Sequence, residues 1–86
     1  VAAERIAARA ELEAARGAEA SAAERARLAN DARALIARSY QLGESDLPSR
    51  LRAETEHSEA QLAHARAQVE TRRAISKLNQ ALGVLP

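Results

Sequence analysis

Tyr40-Gln41-Leu42-Gly43-Glu44-Ser45-Asp46-Leu47-Pro48 is the stretch that decides the fold. Gly43 can take the left-handed backbone conformation that ends a helix at no steric cost. Ser45 or Asp46 can then accept bonds from the free N–H groups that open a new helix. Pro48 suits the first turn of that helix, where its missing N–H is no loss. Stop, cap and start signals within nine residues predict a tight reversal.

On the N-terminal side, residues 2–41 contain no proline and a single glycine, Gly17. One long helix is expected there. Ala7, Ala14, Ser21, Leu28, Leu35 and Leu42 recur every seven residues, with Ala3, Ala10 and Gly17 beside the first part and Ala32 and Ser39 beside the last. This is a heptad-type seam. A second stripe of small residues, Ala8, Ala15, Ala22, Ala26 and Ala29, runs on a neighbouring face. A helix with two such faces suits a bundle wall or barrel better than an isolated pair.

On the C-terminal side a second helix is expected over 47–82, with Gly83 and Pro86 as the stop. Its main seam reads Leu51, Thr55, Ser58, Leu62, Ala65 and Val69, with a second line at Ala60, Ala63, Ala67, Thr71, Ala74 and Leu78. Arg50/Glu54, Arg52/Glu56 and Glu70/Arg73 place opposite charges at helical spacing on the exposed faces. The expectation is all-α, an antiparallel two-helix coiled-coil hairpin occupying 1–86 as one unit, with helices over 2–41 and 47–82 and the turn at 42–47. At about 1.5 Å per residue each helix is roughly 50–60 Å long.

Composition narrows the function classes. Of 86 residues, 23 are alanine, and only 17 are larger apolar residues, Tyr40 among them; Phe, Trp, Met and Cys are absent. Such a chain cannot build the aromatic and branched core of a globular domain of this size, and its make-up points to long helices in close contact. Lys+Arg 13 against Asp+Glu 12, interspersed, lacks the basic stripe that a phosphate backbone requires, so no nucleic acid is expected. No apolar run reaches the roughly 18–20 residues of a membrane-spanning helix. Starting at Val1 without a methionine or signal-like segment, the chain reads as a piece of something larger.

Catalytic chemistry is not indicated. His57 and His64 are the only imidazoles, and two helical turns hold them roughly 10 Å apart, too far to share one zinc at bonds of about 2 Å. They read as two solvated polar residues. No nucleophile elbow, glycine-rich phosphate loop or HxxxH pair is present. The expectation is a protein that is not an enzyme and uses no cofactor or metal.

Tyr40-Gln41-Leu42-Gly43-Glu44-Ser45-Asp46-Leu47, followed by Leu51 and Ala53, resembles a recurrent segment of the TolC-type outer-membrane efflux proteins. There a tyrosine, two residues and a glycine end one long helix, and a polar turn with an Asp-Leu or similar pair starts the next. Ile75-Ser76-Lys77-Leu78-Asn79-Gln80-Ala81-Leu82-Gly83 is similar to that family's close of the same helix. The resemblance covers about residues 33–85, and its ending is closer to the second of the family's two repeats.

The resemblance implies a fragment of a periplasmic α-barrel: part of the tunnel of a homotrimeric duct in the outer membrane, this segment lying in the periplasm. Tyr40, Leu42, Gly43, Glu44, Ser45, Asp46 and Leu47 would form the entrance turn that docks a periplasmic adaptor protein and, through it, an inner-membrane pump. Some members carry an arginine two residues after the turn glycine, where Ser45 stands here, and entrance acidic residues where Ser49 and Arg52 stand. Two alternatives remain. Adaptor proteins carry a similar hairpin, whose Arg-x3-Leu-x6-Ser tip pattern Arg38, Leu42 and Ser49 also meet; an unrelated structural coiled coil is the other. With both seams of each helix needing a neighbour, the chain by itself is expected to self-associate, as a four-helix bundle of two hairpins or a helix-exchanged dimer.

Overall fold

The computed structural model describes residues 2–83, and these form two α-helices, α1 (Ala2–Gln41) and α2 (Leu47–Ala81), joined by a five-residue turn. The helices lie antiparallel along each other in an extended hairpin of 62 × 18 × 14 Å. A globule of this length would have a radius of gyration of about 12 Å; here it is 18.7 Å. The length follows from the sequence, because forty residues without proline rise about 60 Å.

The hairpin buries the small-residue stripes, and this corrects the expected seams. On α1 the facing row is Ala8, Leu12, Ala15, Glu19, Ala22, Ala26, Ala29, Arg33, Ile36 and Tyr40; on α2 it is Arg50, Ala53, His57, Ala60, His64, Ala67, Thr71, Ala74, Leu78 and Ala81. All of these are buried or half-buried, at the alternating three- and four-residue steps of a coiled coil. The rows first expected to pack are exposed instead: Ala7, Ala14, Ser21, Leu28 and Leu35 on α1 with Leu42 just past its end, and Leu51, Thr55, Ser58, Leu62, Ala65 and Val69 on α2. Seven-residue spacing defines a row but not its partner. Two parallel rows on one helix satisfy it equally.

Alanine dominates one of the two alternating positions in both helices, and this is what lets the backbones approach. Ala60 is fully buried, and Ala8, Ala29 and Ala74 are nearly so. The other position carries Leu12, Glu19, Arg33 and Tyr40 against Arg50, His57, His64, Thr71 and Leu78. Long side chains there cover the alanine contact while their polar ends reach water. Thr71, the one buried polar residue among those described, is satisfied: its single hydroxyl proton is shared between the carbonyls of Ala15 across the seam, at 3.3 Å, and of Ala67 on its own helix, at 3.2 Å. The Arg33 Nε, by contrast, is buried without a partner, although its terminal nitrogen donates to Asn30 at 2.8 Å.

Charges rim one flank of the seam. Arg25 grips Glu56 with two bonds of 2.8 and 2.9 Å, and Lys77 lies 3.1 Å from Glu11. These pairs are half-exposed and set register more than stability. Of the pairings expected along α2, Glu70–Arg73 forms at 2.8 Å. Arg52 donates instead to Ser49, Glu56 turns across the seam to Arg25, and Arg50 turns to Tyr40. His57 and His64 are half-buried in the seam rather than solvated.

The alanine contact is thus the packing element. Ala60→Leu should destabilise the hairpin by about 1–3 kcal/mol through overpacking, whereas Leu35→Ala, on an exposed position, should stay within about 0.5 kcal/mol. Urea unfolding followed by far-ultraviolet circular dichroism checks both; the opposite ranking would return the seam to the leucine row.

Candidate functional site

Between α1 and α2 the chain leaves helical geometry in a short turn. α1 closes when the Gly43 N–H donates to the Tyr40 carbonyl at 3.0 Å and the Glu44 N–H to the Ser39 carbonyl at 2.9 Å. This nested pair uses a left-handed residue to satisfy carbonyls that would otherwise be orphaned at a helix end. Gly43 supplies it, with φ +77°. A Cβ added there would meet no atom within 4 Å. Glycine is therefore required at position 43 by backbone conformation, not by crowding within the chain.

Asp46, rather than Ser45, caps α2. Its carboxylate accepts the Ser49 N–H at 2.8 Å from extended backbone, and Pro48 falls in the first turn. Ser45 has another role: its hydroxyl donates to that of Ser39, tying the turn back to the last turn of α1. Beside them the Arg50 guanidinium lies 5.0 Å from the centre of the Tyr40 ring, in cation–π range. Tyr40 and Arg50 end the two facing rows, so the alanine seam brings them together. Choosing that row in the sequence would have exposed the contact and the role of Arg50.

The predicted turn residues are therefore brought to one end, but they do different things. Tyr40 and Ser45 are half-buried and hold the turn closed; Gly43 and Asp46 shape it. Leu42, Glu44 and Leu47 project into solvent, Leu42 at 62% and Leu47 at 50% exposure. The surface offered is two leucines on either side of a short polar turn. The Ser39–Ser45 hydroxyl pair has no imidazole to activate it, since His57 lies roughly 15 Å further along α2. Among the described residues no group of three or more His, Cys, Asp or Glu side chains could hold a metal ion, and no helix is long and apolar enough to cross a membrane.

Electrostatics at the tip follow from the cap. The Ser49 hydroxyl, and then its amide, hold the Asp46 carboxyl below the usual carboxylate range. Hydrogen bonds from Arg27 and Arg25 lower Glu24 and Glu56 in the same way.

No protein-family model, no curated protein and no solved structure matches the chain.

Two measurements follow from the tip geometry. Gly43→Ala should destabilise the hairpin by about 1 kcal/mol, because a Cβ strains the left-handed turn. A carboxyl with a lowered folded pKa contributes stability above its unfolded value, near 4, and loses it as pH falls through the folded one. Thermal stability should accordingly hold steady above about pH 5 and drop below about pH 4. Asp46→Asn keeps a neutral cap, so it should lower stability at pH 7 and flatten that acid limb; an unchanged limb would mean the cap carboxylate contributes nothing.

Proposed function

We propose that the chain is a wall segment of the periplasmic tunnel of a trimeric outer-membrane efflux duct, with its turn at the entrance that docks a periplasmic adaptor. It performs no chemistry on what passes. One observation carries the reading: each helix has a second uncharged row on its outer side, left without a partner by the hairpin. On α1 it is Ala7, Ala14, Ser21, Leu28, Leu35 and Leu42; on α2 it is Leu51, Thr55, Ser58, Leu62, Ala65 and Val69. A free-standing hairpin has no need of a charge-free outer row. A wall helix with a neighbour on each side does.

The register adds to this. The contacts Tyr40–Arg50, Ala15–Thr71 and Glu11–Lys77 put Leu42 level with Leu47, Leu35 level with the Leu51–Thr55 step, and Leu28 near Leu62. Hairpins standing side by side with all turns at one end would thus meet leucine to leucine, α1 of one against α2 of the next. Long helices without kinks, a polar turn flanked by Leu42 and Leu47, and the likeness of Tyr40–Leu47 and Ile75–Gly83 to the TolC-type proteins fit the same picture.

The test uses the full-length outer-membrane protein that this reading requires. Gly43→Trp should abolish efflux at normal expression, because any side chain strains the left-handed backbone there and an indole obstructs the approach of an adaptor tip. Glu44→Arg, at the exposed turn and outside both outer rows, should weaken adaptor binding while leaving trimer formation unchanged. Efflux at the parental level by the Gly43→Trp protein would reject the docking role.

A further inference from the structure

We infer that the chain by itself docks on a second copy through the α1 ridge of Leu28, Leu35 and Leu42, the two α1 helices antiparallel about a two-fold axis at Leu35. This concerns the free hairpin and holds whether or not the duct reading does. The three leucines are 54%, 70% and 62% exposed, and Leu42, the first residue past α1, continues its helical line because its N–H still bonds the Arg38 carbonyl. Seven-residue steps place them roughly 10 Å apart along the axis. Reversing that line about Leu35 lays Leu28 on Leu42 of the second copy, and Leu35 on its own counterpart. An isologous contact needs this self-complementarity.

Charge agrees with the same operation. Asp31 and Arg38 each follow a ridge leucine by three residues, so they line one flank of the ridge. The reversal brings Asp31 within one residue of Arg38 in the second copy, and Arg38 to Asp31, giving two reciprocal opposite-charge pairs. Arg38 makes no ion pair within the chain among the described residues, and Asp31 has only a 3.3 Å contact with Arg27. The outer row of α2 lacks this property. Turned end for end about its middle, it lays Leu62 on Ser58. Six leucines and their alanine neighbours bury less than the ~1,200 Å² of a standard interface, so the dimer is weak, with a dissociation constant on the order of 0.1 mM.

Sedimentation equilibrium of the 86-residue chain from roughly 10 µM to 2 mM, a range set about that constant, tests the inference. The expected result is a monomer–dimer equilibrium that Leu35→Asp abolishes and Leu62→Asp leaves unchanged, with helicity kept in both variants. Asp31→Arg should weaken dimerisation about tenfold, and adding Arg38→Asp should restore it, which reads the interface even if Leu35→Asp disturbs the fold. A monomer throughout, a dimer lost with Leu62→Asp but not with Leu35→Asp, or a charge swap without rescue would each overturn it.

Discussion

Everything in this hairpin depends on alanine meeting alanine. A β-carbon with nothing beyond it lets two helix backbones come close enough for dispersion contacts to accumulate along the whole seam. It also makes the seam narrow. With Ala60 fully buried and Ala8, Ala29 and Ala74 close to it, little apolar area is enclosed by each contact. The fold therefore relies on length, many small contacts over more than thirty residues of each helix, in place of a thick core.

That narrowness explains the polar residues in the facing rows. Glu19, Arg33, His57 and His64 would be costly in the centre of a globular core. Beside an alanine contact they sit at the edge, with aliphatic or imidazole parts over the seam and polar ends at solvent. Thr71 is the exception that lies inside, and it is accommodated because its hydroxyl finds two carbonyls. The same economy frees the leucines. Because the hairpin does not need them, Leu28 and Leu35 on α1, Leu42 just beyond its end, and Leu51 and Leu62 on α2 stand outward.

The turn sets the phase of this arrangement. Gly43 closes α1, Asp46 opens α2, and the Ser39–Ser45 and Tyr40–Arg50 contacts lock the two ends at one rotation. Once that rotation is set, one row of each helix faces the other and the rest are left outward. The tip is thus both the rigid origin of the seam and the most distinctive surface the molecule offers, which is why the adaptor-docking proposal rests there.

The sequence by itself determined the two helices, their boundaries to within a residue, and the reversal between them, because Gly43, Asp46 and Pro48 act locally. It also marked two apolar rows on each helix. Only the tertiary structure decided which row packs. Periodicity is a property of one helix, whereas pairing depends on the rotation that the turn imposes and on how closely two backbones can approach. Leu28, Leu35, Leu51 and Leu62 lie on the outer rows despite their larger side chains, and the deepest burial falls on Ala29, Ala60 and Ala74. For the same reason Arg50 was legible only as a surface charge, and His57 and His64 only as solvated residues: their places in the seam follow from a choice that no single helix contains.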